Sequence, residues 1–242
     1  TFNPYNPTHF YKSTLVYIFV ICTAYFLGTI LLNSNTSTEV EHISILQGNH
    51  EQRFKFEPFN WDKIKKDYIS LTTDSIQDNT TKQSHIIFWP ETVIPSLLNK
   101  NTWHITTLKQ QLPSKTSVIF GSSIKEKDLY FNAALCLSNN TLDTTNSYKK
   151  TKLMPFGEYW PLKRFFSSFN TIANWSTGDD YSKGTTIQLI QTKNSKISTG
   201  ICLEAIYPHI FQKGTKQGAD FLAVLANNAW FFDSKAAEQH FQ

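Results

Sequence analysis

Lys196-Ile-Ser-Thr-Gly-Ile-Cys-Leu-Glu-Ala-Ile206 is the stretch whose reading decides the fold. Lys196 to Cys202 is apolar, β-branched and short enough for a buried strand, and Ala205 to Gln212 reads as the helix that follows it. Cys202 therefore sits where a strand hands over to a helix. Helix N-terminal amides at such a junction stabilise a thiolate, the form that attacks carbonyls. A lone cysteine there reads equally well as a small buried filler, so a nucleophile needs partners from elsewhere in the chain.

Working outward, the same alternation recurs. Ile43 to Gln47, Ile86 to Trp89, Ser117 to Gly121, Tyr130 to Leu137, Thr186 to Gln191 and Phe221 to Leu225 are strand-like. Trp61 to Ile76 reads as an amphipathic helix with Ile64, Tyr68, Ile69 and Leu71 inward, and further helices fit Thr102 to Gln111, Leu162 to Phe169 and Ser234 to Gln242. Strands alternating with helices predict a layered α/β domain with the helices outside.

At 242 residues with 40% apolar content, the chain can bury a sizeable core. A net charge of +4 without a basic block argues against a nucleic-acid partner. Cys22, Cys136 and Cys202 are odd in number and far apart, which fits neither a disulfide framework nor a metal site, and no metal or cofactor is expected. Thr1 in place of Met, and Gln242 inside a helical segment, read as cut ends, with the catalytic domain incomplete at its C-terminus.

Leu15 to Leu32 carries no charge and approaches the roughly 20 apolar residues of a membrane-spanning helix. The expectation is a span over about 14–33 within a segment 1–38 that ends in a polar linker, then a catalytic domain over 39–242. Lys12 before the span, with Glu39 and Glu41 after it, puts that domain outside the cytoplasm.

Two further positions carry chemistry. Glu91, in Ile86-Ile-Phe-Trp-Pro-Glu-Thr92, follows a hydrophobic strand and the proline that ends it, a placement suited to a rigid general base. A helix-start carboxylate is the bland alternative. Lys150 lies in Tyr148-Lys-Lys-Thr-Lys-Leu-Met-Pro-Phe-Gly-Glu-Tyr159. Three lysines in five residues suggest a solvated turn, yet the apolar residues after them suggest a loop folded onto the core, with an ammonium beside a developing oxyanion.

Glu, Lys and Cys in that chain order resemble the carbon–nitrogen hydrolase (nitrilase) superfamily. More narrowly, Trp89-Pro-Glu-Thr92, the Tyr148 to Tyr159 stretch and Gly200-Ile-Cys-Leu-Glu204 resemble the motifs of apolipoprotein N-acyltransferases, as do Gln47-Gly-Asn49 and Asn227-Asn-Ala-Trp230. The resemblance spans about 43–242. It implies a nitrilase-type α-β-β-α sandwich preceded by a transmembrane helix, with Glu91, Lys150 and Cys202 catalytic, and Glu158 and Glu204 supporting. It also implies Phe56, Leu203 and Trp230 at the substrate. Leu203 stands where an aromatic is common, Phe56 where Trp is expected and Phe232 where Gly is usual, and all three departures bear on acyl selectivity.

The implied partners are a phospholipid acyl donor, a diacylglyceryl-modified apolipoprotein and the lipid bilayer, at the periplasmic side of a bacterial inner membrane. Two other functions stay open at this point: a membrane-tethered amidase or nitrilase acting on a small amide, and a catalytically silent lipoprotein-binding module.

Overall fold

A computed structural model describes residues 7–33, 41–79, 83–93, 97–98, 103–161, 180–231 and 234–241. The chain divides into two compact units, 1–40 and 41–242.

In the first unit a single helix, α1 (Pro7–Asn33), contains the whole uncharged run Leu15 to Leu32. Its apolar side chains point outward all the way round: Leu15, Val16, Tyr17, Ile18, Phe19, Val20 and Ile21 are all exposed, and seven successive residues cover the full circumference. Among the described residues no helix is long and apolar enough to cross a membrane.

The second unit holds two sheets. The first has the order β1–β2–β3–β4–β5, with β1 (His42–Ile45), β2 (His85–Phe88), β3 (Thr116–Glu126), β4 (Leu129–Ser138) and β5 (Thr141–Lys149). β1, β2 and β3 pair in parallel, while β3, β4 and β5 form antiparallel hairpins. The β4–β5 turn is Asn139-Asn140 with φ of 49° and 58°, the left-handed pair a two-residue type I′ turn requires and asparagine tolerates. The second sheet has the order β6 (Ile190–Gln191), β7 (Lys196–Ile201) and β8 (Phe221–Leu225). β7 and β8 are parallel, and α5 (Pro208–Lys216) makes the crossover between them.

Two apolar layers hold these sheets. On one face of the first sheet, Ile87, Trp89, Val118, Phe120 and Leu135 pack against Ile64, Tyr68 and Ile69 of α3 (Trp61–Asp78) and Ile105 and Leu108 of α4 (Trp103–Gln111). On the other face, Ile86, Ile119, Ala134, Cys136 and Tyr148 meet Ile190, Ile197, Ile201 and Leu225 of the second sheet. With α5 against β7, the layers run helix, sheet, sheet, helix, a mixed α/β sandwich.

Several expectations shift. β3 and β4 run longer than their apolar cores. β5 is a strand that the sequence reading left out, and only Ile190 and Gln191 of the expected Thr186 to Gln191 strand are paired. The helix expected over Ala205 to Gln212 is split, because Pro208 starts a new helix at its first position and leaves a 3-10 turn, Cys202–Ile206, before it. The expected helix at Leu162 to Phe169 lies outside the described residues. In α3, Leu71 is half-buried and Thr72 takes the inward place. Its hydroxyl donates to Tyr68 O (2.7 Å) and accepts from Trp89 Nε1 (3.1 Å).

Replacing Thr72 by the isosteric Val leaves a buried indole N–H without a partner. Thr72→Val should lower stability by about 1–3 kcal/mol, read as a lower urea midpoint at unchanged slope. An unchanged midpoint would show that the Trp89 contact is energetically silent.

Candidate active site

Three loops that leave the ends of strands build the site. Glu91 follows β2 by way of Trp89-Pro90, Lys150 follows β5 directly, and Cys202 follows β7 directly. All three are buried, with Glu91 5%, Lys150 1% and Cys202 7% exposed. Strand ends are rigid and converge on one another, so residues remote in sequence come within bonding distance.

The turn that holds Glu91 is pressed against β3. Gly121 N–H donates to Pro90 O (3.1 Å), and a Cβ on Gly121 would lie 2.6 Å from Glu91 Cα. Thr92 has φ of 40°, costly for a β-branched residue, so the surrounding packing fixes this turn. Cys202 is likewise left-handed, at φ 50°, at the sharp bend from β7 into the 3-10 turn.

Lys150 is the ammonium at the centre. Its Nζ lies 2.9 Å and 3.0 Å from the two oxygens of Glu158 and 3.5 Å from Glu91 Oε1. Burial alone would lower its pKa, but Glu91 and then Glu158 outweigh that and raise it above the ordinary lysine value, so it stays charged. The neighbouring lysines point elsewhere. Lys149 Nζ pairs with Glu126 (2.6 Å), and Lys152 Nζ lies over the Tyr207 ring.

The Pro155-Phe156-Gly157-Glu158-Tyr159 motif is a tight return turn. Phe156 adopts φ 63° and donates its N–H to Tyr159 O (2.8 Å), while Glu158 N–H donates to Met154 O (2.9 Å). The turn brings Glu158 back to Lys150, and Met154 N–H fixes Glu158 Oε2 at 2.7 Å. Glu204, with no exposed surface, is a clamp. Its Oε1 accepts from the hydroxyl of Tyr148 (2.8 Å), the N–H and hydroxyl of Thr151 (both 2.8 Å) and the N–H of Lys152 (2.9 Å). Its Oε2 accepts from Ile201 N–H (2.9 Å), tying the loop after Lys150 to the bend that carries Cys202.

Burial and the adjacent Glu91 push the Cys202 thiol up to about 12, against the opposing pull of Lys150. The Glu91 carboxylate favours the protonated thiol, and the Leu203 N–H opposes it. This corrects the expectation of a thiolate stabilised by a helix terminus, because the segment is a five-residue 3-10 turn and the charge acting most strongly on the thiol is the Glu91 carboxylate. At rest Cys202 is a neutral thiol beside a carboxylate, an arrangement suited to a nucleophile and its general base.

Two residues at the site had no place in the sequence reading. Asn132 on β4 bonds both Glu91 Oε1 (2.8 Å) and Glu158 Oε1 (2.7 Å). Lys55, in α2 (Gln52–Phe56), is 6% exposed; burial lowers its pKa to about 8 despite the attraction of Glu91. A single Asn inside the apolar run Tyr130 to Leu137 was the one available signal for the first. Of the residues expected at the substrate, Leu203 is half-buried beside the sulfur. Phe56 ends α2 and Trp230 lies in the short turn Asn228–Phe231; their side chains, and Phe232, lie outside the described residues. Asn227 Nδ2 donates to Gln52 Oε1 (3.1 Å), so the two segments carrying Phe56 and Trp230 are joined.

The raised thiol has a spectroscopic consequence. Because a raised acid keeps its proton to higher pH, the 240 nm difference between the wild type and Cys202→Ser should stay flat from pH 7 to 9 and rise only as pH approaches 12. Thiolate absorbance at pH 7 would contradict the neutral resting state.

A carbon-nitrogen hydrolase family model matches residues 43–242. The chain is 32% identical over 213 residues to the apolipoprotein N-acyltransferase of Haemophilus ducreyi, covering 83% of this chain and 40% of that one. It is 30% identical over 242 residues to the apolipoprotein N-acyltransferase of Wigglesworthia glossinidia brevipalpis, covering 96% of this chain and 47% of that one. The chain thus spans less than half the length of these curated relatives. Among solved structures, a carbon-nitrogen hydrolase from Helicobacter pylori is similar with a TM-score of 0.55 at 16% identity, over 82% of this chain and 67% of that one, a likeness of fold. With a matching fold, and Glu91, Lys150 and Cys202 gathered at the ends of its strands, the chain belongs to the carbon-nitrogen hydrolase family.

Proposed function

We propose that this protein is an acyltransferase that moves a fatty acyl chain from a phospholipid, through a Cys202 thioester, to the N-terminal amine of a diacylglyceryl-cysteine lipoprotein. The observation that carries the reading is the contact of the Cys202 thiol with the Glu91 carboxylate, next to an ammonium held charged by two carboxylates. Similarity to two apolipoprotein N-acyltransferases supports the choice of substrates.

Glu91 takes the proton from Sγ as sulfur attacks the ester carbonyl, and the carbonyl π electrons move onto oxygen. Lys150 and nearby backbone N–H groups hold that oxyanion. Collapse breaks the C–O bond, Glu91 returns its proton to the departing oxygen, and a lysophospholipid leaves a thioester on Cys202. The lipoprotein amine then attacks the thioester while Glu91 takes the amine proton and returns it to sulfur, freeing the amide product.

The outward apolar surface of α1 supports a lipid setting. A helix with large apolar side chains on every side has no polar face to give to water, and a bilayer covers all of them at once. We therefore place α1 in a bacterial inner membrane with residues 41–242 on the periplasmic side, where both lipid substrates are at hand.

The test supplies vesicles of phospholipid labelled in the acyl chain, together with a diacylglyceryl-cysteine lipopeptide. Label should appear first on Cys202 and then on the lipopeptide amine, and Cys202→Ala should abolish both. Release of ammonia from small amides without acyl transfer would support an amidase instead, and no labelling of Cys202 by any acyl donor would support a silent binding module.

A further inference from the structure

We propose that Asn132 is a positioning residue that reserves Glu91 Oε2 for the thiol proton, by occupying Glu91 Oε1 and holding Glu158 apart as a separate carboxylate. The inference deepens the proposed function, since it rests on Glu91 as the base toward Cys202.

The geometry assigns this work to one side chain. Asn132 is 4% exposed and sits on β4 opposite Ser123 of β3. Its carbonyl oxygen receives Lys150 N–H (2.9 Å), so the same residue anchors the backbone of the central lysine. Its Nδ2 lies within 2.8 Å of both Glu91 Oε1 and Glu158 Oε1. An amide nitrogen has two hydrogens, and here each carboxylate takes one. The orientation follows from the partners, because a flipped amide would aim its oxygen at two carboxylates. Its Oδ1 is left buried without a hydrogen bond among the described residues, a cost the two charged contacts offset.

Two carboxylates this close share a proton unless donors separate them. The donors between them are the Asn132 amide and the Lys150 ammonium, and both bind Glu91 through Oε1. Glu91 Oε2 is buried and has no hydrogen-bond partner among the described residues, so its lone pairs are unoccupied. That oxygen is the one free to take the Sγ proton as the carbon–sulfur bond forms. Among the described residues, the titratable groups acting on Glu91 are Lys150 after β5, Cys202 after β7, Lys55 on α2 and Tyr181 in the segment after 179. Among the described residues, Glu158 is the carboxylate that shares a donor atom with Glu91.

The test is single-turnover acylation of Cys202 by p-nitrophenyl butyrate, followed by intact-protein mass spectrometry across pH. Asn132→Ala should let the carboxylates share a proton, moving the acid limb of the rate profile up by about one pH unit, so that acylation slows on the order of tenfold at the acid end of the profile and is unchanged on its plateau. In a Glu158→Gln background the second carboxylate is gone, and the same substitution should no longer move the limb. A uniform loss at every pH, or an equal shift in the Glu158→Gln background, would overturn the proposal. If Asn132→Ala does not fold, Asn132→Ser, which keeps one donor, carries the test with a shift of the same sign. The ester needs neither phospholipid nor lipopeptide, so intact acylation with no transfer to lipopeptide would sink the transferase reading alone. A wild type that is not acylated at all would overturn both.

Discussion

An ammonium with 1% of its surface exposed is held between two carboxylates, and the rest of the domain is arranged around that cluster. Taking Lys150 out of water costs several kcal/mol, and only well-placed partners offset it. The partners come from distant segments: Glu91 from the end of β2, Glu158 from a tight return turn, and Asn132 from β4 to hold both acids. Gly121 lets the Glu91 turn lie flat on β3, and Gly184, whose N–H donates to Lys150 O, passes too close to Lys149 for any side chain. The glycines and the strained turns at Thr92 and Phe156 serve one purpose, the approach of buried opposite charges.

Charge placement also governs the nucleophile. Glu91 and burial raise the thiol while Lys150 opposes them, so sulfur keeps its proton until a carbonyl arrives. A neutral thiol with its base attached is protected from adventitious oxidants, which attack thiolates. In the proposed mechanism the ammonium is then free to meet negative charge where it develops, on the substrate oxygen. Glu204 contributes without touching that chemistry: by bonding the loop after Lys150 and the bend at Ile201 together, it fixes the distance between cation and sulfur.

Part of this was legible in the chain because two of the three decisive residues, Glu91 and Cys202, follow strands that announce themselves by apolar runs. Glu91 and Cys202 could each be placed at a strand end, whereas Lys150 was read in a loop folded onto the core and singled out from Lys149 and Lys152 by the resemblance of the Tyr148 to Tyr159 stretch. The β5 strand was not legible: Thr141-Leu-Asp-Thr-Thr-Asn-Ser-Tyr-Lys149 has no apolar run, and its pairing is dictated by β4 and the Asn139-Asn140 turn. Asn132 and Lys55 escaped for a related reason. A polar residue within a strand or a short helix has meaning only through what it faces, and that is set by residues far away in sequence. Likewise the state of the thiol depended on a neighbouring carboxylate, which local reasoning about a helix terminus does not contain.

The claim that the ammonium is locked between its carboxylates can be measured on the nitrogen itself. In 15N-detected NMR of lysine-labelled protein, the Nζ resonance missing from Lys150→Met should belong to a charged ammonium in slow exchange with solvent, and should remain charged beyond pH 10.5, the ordinary lysine value. A Lys150 resonance that exchanges at the solvent rate, or that loses its proton below that pH, would contradict the account.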